Sequence, residues 1–235
     1  MSSTEINKNK FEKVWILVPC FNEGKVIENT LKELSNSFSN ILVVDDGSTD
    51  NTYDILQSMD VSIVRHPINL GQGAAIDSGF KYLLREDKSM CVITFDADGQ
   101  HSVKDAASFA KEIISCREDA ILGSRFINNN SNVPFLKKIA LKLAIRISNL
   151  ILGLELTDTH NGMKAFKIEC LKQINIQIDG YGFESELISK IKSSGISFKE
   201  MPTEILYSDY SMKKGQSLRN GLRIIESLFL LFIKK

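Results

Sequence analysis

Short, continuous apolar runs alternate with helical stretches through the first half of the chain, and this alternation restricts the fold more than any other feature. Such runs are typical of strands buried on both faces of a sheet, and they cover residues 14–18, 41–44, 61–64, 91–95 and 120–122. Between them, residues 25–34 and 72–84 place apolar side chains at helical spacing. The pattern predicts an α/β fold with a mainly parallel sheet flanked by helices, in which ligand-binding groups collect at the carboxyl ends of the strands.

The second half of the chain has a different rhythm. It predicts a long helix over residues 134–152, a short strand at 163–167, a helix at 184–192 and a closing helix from Leu218. The 235 residues, 43% of them hydrophobic, are enough for one sizeable core, and no repeat or low-complexity linker divides them. We therefore predict a single domain over residues 13–235 after a flexible N-terminus, residues 1–12.

The charge balance limits the classes of binding partner, and the cysteines indicate the cellular compartment. Lysine plus arginine equals aspartate plus glutamate at 29 each, which excludes a general electrostatic footprint for nucleic acid. The four cysteines have neither zinc-site spacing nor the density of a secreted disulfide scaffold. The first ten residues have no apolar core of a signal peptide, and no run of about 18 apolar residues exists. The sequence thus predicts a cytoplasmic protein that spans no membrane.

Two aspartates, Asp96 and Asp98, end the strand predicted at residues 91–95. A bend at the strand end lets both carboxylates converge on one ion, and hard oxygen ligands suit Mg²⁺ or Mn²⁺. Such ions are commonly held by one or two protein carboxylates, with phosphate oxygens and water as the other ligands. Gln100 could add a carbonyl oxygen. The alternative is a strand-end turn whose aspartates cap the helix that starts near Ser102.

Three further segments after predicted strands contain candidate ligand-binding residues. Asp46 ends the second strand, where a carboxylate can accept hydrogen bonds from a nucleobase or a ribose, although this segment also suits helix capping. Gly71 and Gly73 precede a helix, where they allow either a close approach of backbone to a ligand or a plain turn. Arg125 follows the fifth strand, where a guanidinium can pair with phosphate oxygens or with a surface acid.

In order, these segments resemble a family 2 glycosyltransferase with the Rossmann-like GT-A fold, in the dolichyl-phosphate mannose or glucose synthase-like branch. The resemblance rests on PCFNE at 19–23, VVDDGSTDNT at 43–52, NLGQGAA at 69–75, ITFDADGQH at 93–101 and GSRF at 123–126. It implies a divalent metal site, occupied by Mg²⁺ or Mn²⁺, that consists of Asp96, Asp98 and Gln100. It also implies a nucleotide site lined by Pro19, Phe21, Glu23, Asp46, Gln72 and Gly73.

The resemblance extends to the later segments. Residues 207–219 resemble the family's mobile loop that closes over the diphosphate, which makes Lys213, Lys214 and Ser217 candidate phosphate contacts; a solvated basic loop is the alternative. Asp158 lies in a segment similar to the family's acceptor side and would bind the acceptor or act as a base.

Glu184 and Glu186 open a predicted helix where many inverting members carry the catalytic base, although the usual glutamate-aspartate pair is absent here. The helix dipole alone would favour acids at this position. His160 has no second histidine at ligand spacing and is not assigned to a metal, and His66 and His101 receive no role.

The helix predicted over residues 134–152 carries apolar residues on one side and Lys138, Lys142 and Arg146 on another. A basic amphipathic helix is attracted to an anionic membrane surface, which predicts peripheral contact with the inner face of the membrane. A core-packed helix with a solvated basic edge is the alternative.

We therefore expect a metal-dependent, inverting hexosyltransferase that moves a sugar from a UDP- or GDP-sugar to polyprenyl phosphate, with Arg125 and the metal stabilising charge on the leaving diphosphate. Transfer to a glycan hydroxyl in surface polysaccharide biosynthesis is the alternative, and that acceptor needs a general base. Two other classes are a non-catalytic nucleotide-sugar binding subunit and a nucleotidyltransferase, whose characteristic glycine- and arginine-rich loop is absent from residues 19–25.

Overall fold

The computed structural model describes residues 11–86, 89–127, 135–180 and 182–205, without the side chains of residues 135–137 and 140. Within these ranges the chain forms, in order, β1 (Val14–Cys20), α1 (Ile27–Ser35), β2 (Asn40–Asp45), α2 (Thr52–Gln57), β3 (Ser62–Arg65), α3 (Gln72–Leu83), β4 (Cys91–Thr94), α4 (Val103–Ser115), β5 (Ala120–Ser124), α5 (Phe135–Leu152), β6 (Lys164–Lys167), α6 (Ile168–Leu171), α7 (Phe183–Ser193) and β7 (Phe198–Pro202).

The strands form one sheet in the order β3-β2-β1-β4-β6-β5-β7. Each neighbouring pair is parallel except for β6, which is antiparallel to both β4 and β5. The predicted α/β architecture with a mainly parallel sheet is therefore confirmed. The sequence did not predict β7, because its residues FKEMP include two charges and a proline in place of a continuous apolar run, and the strand is only partly buried.

β1 illustrates why the apolar runs have no polar alternation. Ile16 and Val18 pack into the core on one face of the sheet, whereas Leu17 packs into the core on the other face. Helices α1, α2 and α4 complete the first core, and α3 and α7 complete the second. Both faces are covered, and each fully buried Leu or Ile side chain stabilises the fold by roughly 1.5–3 kcal/mol.

Parallel pairing brings the carboxyl ends of several strands to one edge of the sheet. The carboxyl ends of β1, β2 and β4 lie together because these strands are parallel neighbours. β6 runs the opposite way and begins at this edge, with Lys164 opposite Thr94 of β4. The segment that precedes β6 therefore reaches the same place as Asp96, which follows β4.

Two predictions concern the ends of the chain. Phe11 falls within the N-terminus predicted to be flexible, yet it is buried and stacks on Phe38 with 5.3 Å between ring centroids. Residues 1–10 lie outside the described residues, as do the predicted closing helix from Leu218 and the loop that contains Lys213, Lys214 and Ser217. Among the described helices, none combines the length and the apolar character needed to cross a bilayer.

Candidate active site

Asp96 and Asp98 lie half-buried in the turn that follows β4. Asp98 Oδ1 accepts a hydrogen bond from the backbone N–H of Gln100 at 3.0 Å, and the Gln100 side-chain amide donates to Oδ2. Asp96 Oδ2 lies 2.8 Å from His101 Nε2, and its Oδ1 lies 3.4 Å from Gln72 Nε2. The turn thus gathers the three predicted metal ligands, and α3 supplies Gln72 from across the edge.

The two carboxylates differ in their electrostatics. Burial raises the pKa of Asp96, but hydrogen-bonded His101 and the nearby cations Lys164 and Arg125 lower it more, so the net pKa lies below its ordinary value. The pKa of Asp98 is raised, first by burial and then by the negative charge of Asp96. Two close carboxylates form an all-oxygen donor set, which fits a hard divalent cation such as Mg²⁺ or Mn²⁺.

The donor set from the protein is small. Among the residues that the structure describes, no group of three or more His, Cys, Asp or Glu side chains is arranged to hold a metal. A cation at Asp96 and Asp98 would therefore need ligands from elsewhere. Phosphate oxygens and water commonly supply them at magnesium sites.

The turn before α3 is held by Asp46, which is buried. Its carboxylate accepts hydrogen bonds from the backbone N–H groups of Leu70 and Gly71, at 2.9 Å and 2.7 Å. A Cβ added to Gly71 would lie 2.2 Å from the carbonyl oxygen of Asp179, and one added to Gly73 would lie 2.1 Å from that of Ile178. The close approach expected of these glycines is therefore made to the chain's own backbone.

A turn after β1 meets the turn after β2. Asn22 has a left-handed φ of 54°, and its side-chain oxygen accepts hydrogen bonds from the N–H groups of Thr49 and Asp50 at 2.8 Å and 3.3 Å. Glu23 is buried, and its N–H donates to Thr52 Oγ1 at 2.8 Å. These contacts place Phe21 and Glu23 beside the segment that contains Asp46.

A pocket opens at this edge of the sheet, between α3, α7 and the start of β6. Four of the predicted site residues line it, although they come from four separate segments: Pro19, Gln72, Asp96 and Glu184. The remaining lining residues are Ile76, Thr94, Gly162, Lys164, Phe183 and Leu187.

Asp158 and Arg125 form a buried, two-point ion pair. Arg125 Nε donates to Asp158 Oδ2 at 2.6 Å and Nη2 donates to Oδ1 at 2.8 Å, while Nη2 also donates to the carbonyl oxygen of His160 at 2.8 Å. Burial raises the pKa of Asp158, but the charge and hydrogen bonds of Arg125 lower it more, so the net pKa is below its ordinary value. A carboxylate so stabilised in its ionised form is a weak base.

The two candidate glutamates of α7 have different surroundings. Glu184 lines the pocket and forms an ion pair with the buried ammonium group of Lys164. Its pKa is raised by burial, with Lys164 opposing that shift. Glu186 is buried outside the pocket lining, and its Oε2 accepts hydrogen bonds from the N–H groups of Gln177 and Ile178 at 2.9 Å and 2.7 Å. Its contacts hold the chain before α7.

Three residues of this region received no role from the sequence. Lys164 bonds to Glu184 and to the carbonyl oxygen of Asn161, His101 contacts Asp96, and His66 contacts Asp46. The one available signal was their position beside the aspartate and glycine segments. His160 was not assigned to a metal; burial lowers its pKa to about 4.

The model of the family described as "Glycosyl transferase family 2" matches residues 15–174. The chain belongs to glycosyl transferase family 2. The match contains Asp46, Asp96, Asp98, Asp158 and Lys164, whereas α7 and β7 lie beyond it. The protein is thus a glycosyltransferase, and the enzyme class expected from its motifs is confirmed.

Two curated relatives are similar over nearly the whole chain. The UDP-N-acetylglucosamine–dolichyl-phosphate N-acetylglucosaminyltransferase of Methanococcus voltae is 32% identical over 94% of this chain and 97% of its own length. The polyprenol monophosphomannose synthase of Mycolicibacterium smegmatis is 28% identical over 93% of this chain and 85% of its own length. The predicted branch of the family is confirmed by these relatives.

Among solved structures, the family 2 chain is similar to glucosyl-3-phosphoglycerate synthase from Mycobacterium tuberculosis in complex with Mn²⁺, uridine diphosphate and phosphoglyceric acid. The TM-score is 0.71 at 15% identity, with coverage of 93% of this chain and 78% of the other. The same synthase has been solved with Mg²⁺ and uridine diphosphate. At this identity the likeness shows the fold, and the predicted GT-A fold is confirmed.

Proposed function

We propose that the protein transfers a sugar from a UDP- or GDP-sugar to polyprenyl phosphate with inversion at the anomeric carbon. The observation that carries the choice of acceptor is that two of the three predicted bases are occupied by structural contacts. Asp158 is neutralised by Arg125, and Glu186 accepts two backbone N–H groups. Glu184 alone of the three lines the pocket, and it is paired with Lys164. A hydroxyl acceptor needs a positioned base, whereas a phosphate arrives already ionised.

The names of the two relatives support this acceptor. One name specifies an N-acetylglucosaminyl group and dolichyl phosphate, and the other specifies a mannose group and polyprenol. The sugar differs between them, but both names specify a polyprenol-type lipid. The acceptor class is therefore the better supported part of the proposal, and the donor sugar is to be identified by experiment.

In the proposed reaction, an oxygen of the acceptor phosphate attacks the anomeric carbon while the bond from that carbon to the diphosphate oxygen breaks. The nucleoside diphosphate leaves with the bonding electrons. Asp96 and Asp98 would hold Mg²⁺ or Mn²⁺, with Gln100 as a further oxygen ligand, and the bound cation would stabilise negative charge on the leaving group. Arg125 acts electrostatically on Asp96, but its ion pair with Asp158 largely balances its charge, so the metal would supply most of the stabilisation of the leaving group.

The remaining predicted residues would bind the donor. The Asp46 carboxylate can accept about four hydrogen bonds, and three of these positions are taken by His66, Leu70 and Gly71. An N–H group of the nucleobase or a hydroxyl group of the ribose could donate a hydrogen bond at the fourth position. The other proposed nucleotide contacts are Pro19, Phe21, Glu23 and Gln72, and the proposed diphosphate contacts are Lys213, Lys214 and Ser217. Gly73 is not among them, because it packs against the backbone of Ile178.

A lipid phosphate must be taken from a membrane, and α5 has a surface suited to that contact. Ile139, Leu143 and Leu150 are exposed apolar side chains on this helix, and Leu150 is 85% exposed. Lys142 and Arg146 are exposed beside them. We propose that this exposed surface of α5 lies against anionic lipid at the inner face of the membrane.

The proposal is tested by incubating purified protein with Mn²⁺, a panel of UDP- and GDP-sugars and a short-chain polyprenyl phosphate. The expected products are a lipid-linked sugar, seen by mass spectrometry, and the free nucleoside diphosphate. Glu184→Gln should keep the rate within a few-fold of wild type. Transfer only to a glycan, with a loss of about 100-fold to 10,000-fold in Glu184→Gln, would replace the lipid acceptor by a hydroxyl acceptor.

A further inference from the structure

His66 is a buried residue that the proposed chemistry does not use, yet both of its ring nitrogens have partners. Nδ1 lies 2.7 Å from Asp46 Oδ1, and Nε2 lies 2.9 Å from Ser78 Oγ on α3. The His66 side chain is only 8% exposed. It therefore forms a rigid bridge between the carboxylate that follows β2 and the middle of α3.

The other contacts of Asp46 show what that bridge holds in place. The same carboxylate accepts the N–H groups of Leu70 and Gly71, which immediately precede α3. Gly71 has a φ of 105°, and the next residue, Gln72, directs its side chain towards Asp96. The orientation of one carboxylate thus determines the course of the turn that connects the nucleotide side of the pocket with the metal-binding side.

We infer that His66 is a positioning residue for nucleotide binding, acting through Asp46 and the turn at residues 70–72. A carboxylate can rotate about its last bond, and two N–H groups from one turn would move with it. The imidazole limits that freedom, because its Nδ1 lies 2.7 Å from Asp46 Oδ1 in a buried site where the carboxylate has no room to turn away. This inference rests on the proposed function, since it concerns the binding of the donor's nucleoside diphosphate.

Amide side chains that copy one ring nitrogen at a time provide the test. The amide nitrogen of Asn occupies a place close to Nδ1 of His, and that of Gln a place close to Nε2. His66→Asn should therefore keep the donor to Asp46 and lose the contact with Ser78, whereas His66→Gln should do the reverse. Ser78→Ala removes the second contact alone.

The first measurement is the affinity for UDP and for GDP, each with Mn²⁺, by calorimetry on the full chain. His66→Gln should lower the affinity for the nucleotide by about tenfold to 100-fold, the loss expected when a hydrogen bond to a charged group is removed. His66→Asn and Ser78→Ala should stay within about threefold of wild type. In turnover, the defect of His66→Gln should appear in the KM for the donor and leave kcat nearly unchanged.

The second measurement is amide hydrogen exchange at Leu70 and Gly71, followed by NMR without nucleotide. Exchange should be faster in His66→Gln and unchanged in His66→Asn. If the wild-type protein binds neither nucleotide, the proposed function fails, but this measurement still tests the positioning role. Ile113→Val serves as a control, because it reduces packing in α4 and should lower the melting temperature without changing either readout.

Two results would overturn the inference. One is equal exchange at residues 70 and 71 in the Gln and Asn variants. The other is a loss of affinity that follows the fall in melting temperature across all variants, including Ile113→Val, because that pattern would mean that His66 only stabilises the fold.

Discussion

Replacement of Gly162 by alanine should disable the proposed metal site at Asp96 while the fold persists. The backbone of Gly162 lies outside the left-handed region, so alanine is allowed there. A Cβ at this position would, however, lie 2.2 Å from Asp96 Oδ2 and 2.7 Å from both Asp96 Cγ and Oδ1. The single added methyl group would therefore collide with the carboxylate proposed to bind the cation.

The geometry also gives the size of the effect. Ordinary contacts between non-bonded atoms need about 3.5 Å, so the carboxylate and the methyl group must separate by more than ~1 Å. Gly162 cannot easily retreat, because its carbonyl oxygen accepts a hydrogen bond from Thr94 Oγ1 at 2.6 Å. Asp96 must then take most of the shift. A misplacement of about 1 Å in an active site can lower the rate about 100-fold.

The assay is release of nucleoside diphosphate from the preferred donor across a Mn²⁺ titration, with melting temperature as the check on folding. Gly162→Ala should lose about 100-fold in kcat/KM and require more Mn²⁺. Gly180→Ala is a matched control, because its added Cβ has no heavy atom of the described residues within 4 Å apart from its chain neighbours, and it should behave as wild type. Near wild-type activity of Gly162→Ala at the same Mn²⁺ concentration would refute the placement of the metal site at Asp96.

Three further predictions address other parts of the molecule. Asp98→Asn should abolish Mn²⁺-dependent donor binding without a fall in melting temperature; calorimetry that shows unchanged binding would exclude Asp98 as a ligand. Asp158→Asn should lower the free energy of unfolding by about 3–5 kcal/mol, since it removes the charge that balances a buried guanidinium. Because the folded pKa of Asp158 is lowered, wild type should lose this stability as the pH falls below about 4, and denaturation curves of the variant should lack that part of the pH dependence. Changing the basic residues Lys138, Lys142 and Arg146 to glutamine should weaken flotation with anionic liposomes by about 1 kcal/mol per charge, and unchanged flotation would count against α5 as the contact surface.

The sheet was predictable where burial on both faces leaves a continuous apolar run, as in β1, β2 and β4. The direction of β6 was not predictable from KAFK, because strand direction depends on the path of the preceding chain and not on the strand's composition. The same limit explains the missed role of Lys164. Its ammonium group meets Glu184 only because the antiparallel β6 begins beside Thr94.

The sequence alone could have shown that Glu184 and Glu186 do not act together. Glu184 and Glu186 are two residues apart in a helix, and side chains at that spacing point in different directions. Only one of them could line the pocket, as the structure shows for Glu184. Asp96 and Asp98, by contrast, lie in a turn, where the same spacing leaves both half-buried near one point. The local backbone decides whether two acids at this spacing act together.

The insertion of β6 between β4 and β5 has a practical consequence for anyone who wishes to divide the protein. A chain ended after residue 124 would contain every strand as far as β5, but β5 pairs only with β6 and β7 among the described strands. That fragment would expose one unpaired side of β4 and leave β5 without a neighbour, which makes it prone to aggregate through strand pairing. The segments proposed to bind the nucleotide come early in the sequence, yet they should not be obtainable as an independent folding piece.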